Sequence, residues 1–451
     1  MKDYPHAVPI VVPIKENGQH KYSLDEKALR KILLQDHIRD RNVVVVSIAG
    51  PYRRGKSFLL NFFLRYMNFK VFPIFQQTSG CDTKCSWLGD ENTPLTGFPW
   101  KRGTDVVTTG ILMWSEVFCM TSPTGEEVAV IFLDTQGKFD DESTVRDCVT
   151  VFALSTMLSS IQMYNLVHKI QEDDLQYLHM FTEYGRLASE NTGNTLFQKL
   201  QFIVRDWDWA YEKSYGPEGG KMLLEEKLMV CIEILRELQC TAEGQHPEKI
   251  KLKNHIKSYF DDIQCFLLPD PGPKARTSPE FDGKLSDIDD EFKTYLDQLV
   301  PLIMAPENLI QKEIGGTKIT VEDFLLYFKR YVDVFNGIGN MLPELKSIFD
   351  ANVDLTNLKA VAAAKKTYKK QMEIFCETIH LNNDQFEQAH QISLGYALEK
   401  FNVTPKMGGV ECSVKYRTDL QEKINNKYRW WKLVNESNKS KIGTITSCGL
   451  M

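Results

Sequence analysis

An eight-residue run, Gly50-Pro51-Tyr52-Arg53-Arg54-Gly55-Lys56-Ser57, constrains the fold of this chain more than any other feature. It matches the G-x-x-x-x-G-K-[ST] pattern of a phosphate-binding loop. An uninterrupted apolar run at 43–49 precedes it, and a stretch with helical periodicity at 58–67 follows it. A strand, a glycine loop and a helix start in this order direct backbone N–H groups and a helix dipole toward phosphate oxygens. The sequence therefore predicts a nucleoside triphosphate site, in which Lys56 contacts the β- and γ-phosphates and Ser57 ligates Mg²⁺.

Charge and cysteine content narrow the class of protein. The 54 basic and 60 acidic residues give a net charge of −6, so no broad nucleic-acid surface and no nucleic-acid partner are expected. Several of the ten cysteines fall in apolar stretches (Cys148, Cys231 and Cys265), which indicates reduced thiols. Cys81 and Cys85 lie close together, but no second pair has zinc-site spacing, so no metal is expected there. No run reaches the roughly 18 apolar residues of a membrane span, and the N-terminus does not resemble a signal peptide.

The first two-thirds of the chain alternate apolar strands with amphipathic helices, which is typical of a mostly parallel α/β sheet. The predicted strands are 43–48, 109–114, 128–133, 200–204 and 264–268, and the predicted helices are 145–160, 172–187 and 220–238. After about residue 301 strand signals become rare. Helical patterns at 358–376, 384–401 and 410–431, separated by turn signals, predict a small bundle of three antiparallel helices. A glycine-rich stretch at 336–343, ending in Pro343, is a natural hinge between the two parts.

Two further segments are candidates for the phosphate side of the site. Asp134 directly follows the predicted strand 128–133, where its carboxylate could hold the Mg²⁺ water shell. Three residues later, Gly137 could donate its N–H to the γ-phosphate. Thr108 could supply a hydroxyl that closes on Mg²⁺. The alternative is that this segment is only a polar loop before a strand.

An Arg-Asp pair at 205–206 is the candidate for recognising the base of the nucleotide. No N-K-x-D run follows a late strand, but Arg205 and Asp206 end the predicted strand 200–204. A carboxylate at Asp206 could accept from N1–H and the exocyclic amine of guanine, a pattern that adenine lacks, and Arg205 could stack on the base or hydrogen-bond to it. A plain surface ion pair between the two is the alternative. Asp270 lies in a rigid proline-rich loop, 269–273, at the sheet edge where such folds bind ligands.

Taken in order, G-P-Y-R-R-G-K-S, T-T-G, D-T-Q-G and V-R-D-W resemble the atlastins, a family of dynamin-superfamily GTPases. The likeness extends from about Asp25 to Lys439. It includes the stretches 88–100, 155–160, 171–175, 181–187, 361–365 and 406–409. The resemblance implies a GTPase on the cytosolic face of the endoplasmic reticulum. In this family GTP binding lets G domains on two membranes dimerise, and the helical bundles then swing about the hinge and draw the bilayers together.

The resemblance also implies roles for single residues. Arg53 would act as an arginine finger, since one well-placed guanidinium can be worth about 10³–10⁵ in the rate of phosphoryl transfer. Its neighbour Arg54 is also explained as a solvated charge. The candidate catalytic residues are Arg53, Thr108 and Ser57. The candidate metal ligands, for Mg²⁺, are Ser57, Thr108 and Asp134. The candidate residues for binding GTP and GDP are Gly50, Tyr52, Arg53, Arg54, Gly55, Lys56, Ser57, Phe58, Gly137, Arg205, Asp206 and Asp270.

The expected fold is a P-loop GTPase domain of the α/β class with a mostly parallel sheet, followed by a three-helix bundle. The expected domains are an N-terminal extension (1–24), the GTPase domain (25–305), a linker and hinge (306–344), the bundle (345–436) and a tail without a transmembrane span (437–451). The expected partner is a second copy of the chain, contacted through both G domains and bundles, together with membranes.

Two alternatives stay open at this point. One is a guanylate-binding-protein-like defence GTPase, which shares the Arg-Asp base motif but has a longer helical tail and usually D-T-E-G. The other is an unanchored form that binds full-length partners and inhibits fusion. The family carries two transmembrane segments and an amphipathic helix after the bundle, whereas this sequence stops at Met451. The terminal Cys448-Gly449-Leu450-Met451 fits a prenylation pattern, but Gly449 is a poor match and chance is the favoured explanation. Leu345 replaces a second proline of the family hinge.

Overall fold

The computed structural model describes residues 4–16, 19–52, 54–71, 86–100, 110–135, 145–171, 174–175, 178, 197–229, 259–336, 345–376 and 380–448. The chain divides into two compact units, and the main break lies between Ile348 and Phe349. The first unit contains the phosphate-loop motif, and the second consists mainly of helices.

A large sheet lies at the centre of the first unit. Within the described residues it has nine strands: β1 (Ala7–Glu16), β2 (Gln19–Leu24), β3 (Asn42–Ala49), β4 (Ile111–Trp114), β5 (Phe118–Thr121), β6 (Glu127–Thr135), β7 (Ile161–Val167), β8 (Phe197–Arg205) and β9 (Phe260–Leu267). Their order is β2-β1-β4-β6-β3-β7-β8-β9, and β5 also pairs with β6. The strands from β6 to β9 in this order run parallel, whereas β1, β2, β4 and β5 pair antiparallel.

Helices flank the sheet and form the C-terminal part of the chain. Those described in the first unit are α1 (Glu26–Leu33), α2 (Lys56–Val71), α3 (Val145–Leu158), α4 (Pro217–Met229), α5 (Pro273–Thr277), α6 (Asp290–Met304) and α7 (Val321–Asn336). The C-terminal helices are α8 (Leu345–Cys376), α9 (Asn383–Val403) and α10 (Gly409–Cys448). Short 3₁₀ turns span Leu285–Asp287 and Pro306–Asn308, and the two short strands β10 (Glu313–Ile314) and β11 (Thr317–Lys318) form a separate ribbon.

The register of the parallel strands sets the position of the site. In β3 every residue from Val43 to Ala49 is buried, as expected for a strand covered on both faces. Ile48 near its end pairs with Asp134 on β6 and with Met163 on β7. The carboxyl ends of these strands therefore meet at one edge of the sheet, directly beside the phosphate loop.

The helical unit has a core of its own. Buried residues from its three helices pack together, among them Ala364, Tyr368, Ala397, Phe401 and Leu420. The turn signal at 382–383 is the start of α9, because Asn382 caps the helix in a reciprocal pair with Gln385. The α/β class with a mostly parallel sheet and the helical C-terminal region predicted from the sequence are confirmed.

The structure also differs from the expected elements. β1 and β2 are strands of the main sheet, although residues 1–24 were expected to be an extension outside the domain. The centrally placed β7 was not predicted at all. The expected linker 306–344 contains α7, most of whose apolar side chains are buried in the first unit, so it is an ordinary packed helix up to Asn336. Most of the predicted helix 172–187 and the hinge residues 337–343 lie outside the described residues.

In the part of the chain that the structure describes, no helix has both the length and the hydropathy needed to span a bilayer.

Candidate functional site

The phosphate loop leaves β3 at Gly50 and enters α2 at Lys56, and its two motif glycines are required by close approaches. Gly50 has a φ of 150° and Gly55 a φ of 68°. A Cβ on Gly50 would lie 2.0 Å from the Asn165 carbonyl oxygen, and one on Gly55 would lie 2.0 Å from Nη1 of Arg205. A larger residue at Gly50 would clash with the backbone of β7, and one at Gly55 would displace the Arg205 guanidinium.

Lys56 and Ser57 begin α2, where the helix dipole favours negative charge. Lys56 is 6 % exposed, and its Nζ donates to the Pro51 carbonyl oxygen at 3.1 Å, so the side chain crosses back over the loop. Ser57 Oγ donates to Oδ2 of Asp134 at 2.5 Å. The predicted phosphate lysine, the predicted metal-binding hydroxyl and the strand-end carboxylate are therefore together in the structure.

Ser57 and Asp134 fit a magnesium ion by the chemistry of their donor atoms. A hydroxyl and a carboxylate are hard oxygen ligands of the kind that Mg²⁺ takes, usually together with phosphate oxygens and water. The carboxylate is fully buried, and Thr135 beside it donates its hydroxyl to the Ile48 carbonyl oxygen at 2.7 Å. This bond ties the end of β6 to β3 and fixes the position of the carboxylate.

Arg205, in the predicted base motif Arg205-Asp206, contacts the phosphate loop. It is 6 % exposed, and its Nη1 donates to the carbonyl oxygens of Arg54 at 3.0 Å and Gly55 at 3.3 Å. Asn165 at the end of β7 donates to the same Arg54 carbonyl at 2.9 Å. The Arg205–Asp206 pair is thus not a plain surface ion pair, since its arginine is buried under the loop. The predicted contact of Arg205 with the base stays a prediction.

Asp206 follows β8 with a φ of 54° and a half-buried carboxylate. Asp270 follows β9, and its Oδ1 accepts from the Gly272 N–H at 2.8 Å and lies 3.4 Å from Nε of Arg276. Burial raises the pKa of the Asp270 carboxyl, and the nearby Asp206 carboxylate raises it further, against the Gly272 hydrogen bond. The Asp206 and Asp270 carboxylates therefore lie near each other at the carboxyl ends of β8 and β9.

The remaining candidates are placed differently. Phe58 is buried and packs edge-on against Phe62 and Trp100, so its ring belongs to the apolar core. Tyr52 is half-buried, and the Arg54 side chain is exposed, in agreement with a solvated charge. Three candidates, Arg53, Thr108 and Gly137, lie outside the described residues, as do Cys81 and Cys85.

Sequence reasoning missed Asn165, because it missed β7. The run Ile161–Val167 carries two buried polar residues, Gln162 and Asn165, in an otherwise apolar strand. Its other five residues are apolar, and a short, mostly apolar run between the helix 145–160 and the acidic stretch at 172–174 is consistent with a buried strand.

Comparison with known proteins identifies the family. Residues 19–313 match the family model described as guanylate-binding protein, N-terminal domain. Human atlastin-3 is 48 % identical over 422 residues, which cover 93 % of this chain and 74 % of the relative. Atlastin of Drosophila melanogaster is 46 % identical over 426 residues, covering 94 % of this chain and 75 % of the relative. A solved septin GTPase domain from Chlamydomonas reinhardtii aligns with a TM-score of 0.27 at 11 % identity over 60 % of this chain and 93 % of the septin chain, too remote a likeness to support an argument.

The atlastin relatives match the helical region as well as the sheet, and they favour the atlastin interpretation over the defence GTPase and the unanchored inhibitor. With this level of identity over most of its length, the chain belongs to the atlastin family, the GTP-hydrolysing enzymes that fuse membranes of the endoplasmic reticulum.

Proposed function

We propose that this chain binds GTP with Mg²⁺ at the edge formed by β3, β6, β7, β8 and β9. We further propose that GTP binding brings two copies together through their G domains, and that hydrolysis drives tethering and fusion of endoplasmic reticulum membranes from their cytosolic face. The observation that supports this most is the buried Arg205, which is next to the proposed base reader Asp206 and donates to carbonyl oxygens of the phosphate loop.

On the phosphate side, the cationic groups lie at the start of α2. The Lys56 ammonium is close to the loop backbone and supplies the counter-charge for the β- and γ-phosphates. Mg²⁺ would be held by Ser57 and Asp134, and when bound it neutralises charge that develops on the phosphoryl group. Phosphoryl transfer depends mainly on positioning and charge stabilisation, so a framework held by hydrogen bonds from three strands suits this chemistry.

On the base side, the Asp206 carboxylate would accept from N1–H and the exocyclic amine of guanine. An acceptor-only group rejects adenine, whose corresponding ring nitrogen is itself an acceptor. Rejection by a site built for hydrogen bonds is strong, since the mismatched base leaves polar groups unpaired.

Three proposed roles rest on the sequence alone, because their residues lie outside the described part of the chain. They are Arg53 as the finger that stabilises the transition state, Thr108 as the hydroxyl that closes on Mg²⁺, and Gly137 as the γ-phosphate donor. Movement of the helical unit about the predicted hinge 336–343 has the same basis.

Base selectivity tests the nucleotide assignment. Asp206→Asn should lose preference for GTP and gain turnover of XTP, because an amide can donate to the C2 carbonyl of xanthine where a carboxylate cannot. Asp36→Asn, at a fully exposed position, is the control that should keep the wild-type preference. Equal turnover of GTP and ATP by the wild-type chain would overturn the assignment.

Light scattering tests self-association. The chain should be monomeric with GDP and dimeric with a GTP analogue or transition-state analogue, because a ligand shifts the equilibrium toward the state that it binds more tightly. A monomer in every nucleotide state would contradict the proposed mechanism.

Arg53→Gln should lower kcat far more than it weakens GTP affinity.

A further inference from the structure

His168, the first residue after β7, has an uncommon backbone conformation. Its φ is 62°, and Asp206, the first residue after β8, has a φ of 54°. Among the described residues these two are the only non-glycine positions with positive φ. Such conformations cost energy in residues other than glycine and persist when surrounding contacts hold them, often at functional sites.

The two residues are also bonded to each other across the ends of neighbouring parallel strands. The His168 N–H donates to the Arg205 carbonyl oxygen at 2.9 Å. Its ring Nδ1 lies 2.9 Å from the Asp206 carbonyl oxygen and 3.0 Å from Oδ2 of Asp208. A carbonyl oxygen only accepts, so the ring proton resides on Nδ1 and is shared between the Asp206 carbonyl and the Asp208 carboxylate.

These contacts define both backbone torsions of Asp206. The Arg205 carbonyl belongs to the peptide plane before the Asp206 Cα, and the Asp206 carbonyl belongs to the plane after it. His168 holds the first plane with its backbone and the second with its ring. The Trp207 N–H, on the second plane, also donates to the Leu268 carbonyl oxygen at 3.2 Å. Because both flanking planes are fixed, the direction of the Asp206 side chain from its Cα is fixed too.

We infer that His168 is a positioning residue for guanine recognition: it holds the Asp206 backbone in the left-handed conformation that aims the carboxylate at the base. This inference rests on the proposed role of Asp206 as the base reader. Asp208 acts on Asp206 indirectly, because its carboxylate orients the His168 imidazole.

Three substitutions at His168 separate the contribution of its positive φ from that of its ring donor. His168→Gly accepts the positive φ but lacks the ring donor. His168→Asn tolerates the same backbone region and places an amide N–H the same number of bonds from Cα as Nδ1. His168→Ala lacks the donor and also strains the backbone. Asp208→Ala, at a carboxylate that is 65 % exposed, perturbs the same contact with little risk to folding.

The measurement is the equilibrium affinity of the full chain for GDP and for IDP, which lacks the exocyclic amine. His168→Gly and His168→Ala should each lose about tenfold of the GDP-over-IDP preference, the order expected for one hydrogen bond to a charged group. His168→Asn should keep most of the preference, and Asp208→Ala should lose part of it. A purely structural role would lower both affinities together and leave their ratio unchanged.

Asp206→Asn, measured in parallel, distinguishes the two ways of failing. If it removes the GDP preference while His168→Gly and Asp208→Ala keep the wild-type ratio, the positioning role is overturned and the base reader stands. If His168→Asn is as impaired in the ratio as His168→Gly, the donor is not what matters and the inference is overturned. If Asp206→Asn itself keeps the wild-type ratio, the base-reading proposal is wrong, and the role of His168 with it.

Discussion

The guanidinium of Arg205 occupies the space that a side chain on Gly55 would need. A Cβ at that glycine would lie 2.0 Å from Nη1, and the same nitrogen donates to the Gly55 carbonyl oxygen at 3.3 Å. The second glycine of the phosphate loop is therefore required by the arginine of the base motif as well as by its own φ of 68°. Two motifs that lie about 150 residues apart form one hydrogen-bonded unit.

Arg205→Lys should weaken binding of GDP and IDP by the same factor, about tenfold. Lysine keeps the charge but lacks the planar fork that reaches the loop carbonyls. Titration with fluorescent GDP and IDP checks this, and Asp206→Asn provides the contrast because its effect should depend on the base. A changed GDP-to-IDP ratio in Arg205→Lys would instead show that the guanidinium contacts the base.

Asp134→Asn should raise the Mg²⁺ concentration that supports half-maximal GTP turnover by about ten- to a hundredfold. The amide can still accept from Ser57 Oγ, so the fold near Ser57 is kept while the negative charge is lost. Phosphate release measured across a Mg²⁺ series gives the midpoint. Thr135→Ser retains the hydroxyl that bonds to Ile48 and should keep the wild-type midpoint. An unshifted midpoint in Asp134→Asn would remove this carboxylate from the metal site.

The parts of the fold that could be predicted from sequence are those encoded locally. The all-apolar run of β3 and the glycine loop determine strand, loop and helix within about 25 residues. β7 was missed because two polar residues, Gln162 and Asn165, interrupt its apolar run. Gln162 accepts from the nearby Ser155 and Ser159 hydroxyls, whereas Asn165 donates to the Arg54 carbonyl oxygen of the phosphate loop, 111 residues away.

Contacts between residues far apart in the sequence could also not be predicted for the edge strand β1 and for His168. β1 pairs with β4, which begins about a hundred residues later, so nothing near Ala7–Glu16 marks it as part of the main sheet. His168 contacts Asp206 over a separation of 38 residues and only through a positive φ. Residue type alone indicates neither contact.

Asn336→Ala should destabilise the first unit by about 1–3 kcal/mol. At the end of α7, the Asn336 side chain donates to the Tyr22 carbonyl oxygen at 2.8 Å and accepts from the Tyr22 N–H at 2.7 Å. It thus replaces a strand partner for one residue of β2, and alanine would remove both hydrogen bonds. Thermal unfolding and hydrogen exchange at the Tyr22 amide provide the measurement. Asp333→Ala, at an exposed position on the same helix, is the control. Unchanged exchange at Tyr22 would mean that the bond does not hold the strand.

Lys312 predicts a pH dependence of stability. It is 2 % exposed, its Nζ donates to the Ser159 carbonyl oxygen at 2.8 Å, and the Phe197 ring lies 6.0 Å away. Burial lowers the pKa of the ammonium from 10.5 to about 7. Between these two values the unfolded chain binds a proton that the folded chain does not. The free energy of unfolding should therefore rise with pH across this window, by up to about 1.4 kcal/mol per pH unit from this group.

Lys312→Met isolates that contribution. It fills the same space without a titrating group, so its stability should not share the rise, and wild type should gain on the variant between pH 7 and pH 9. Below the folded-state pKa both states carry the proton, and the difference between wild type and variant should become constant. Urea unfolding at a series of pH values measures the difference, with Lys318→Met, at an exposed position in the same segment, as the control. Parallel stability profiles for wild type and Lys312→Met would show that this lysine stays charged in the folded protein.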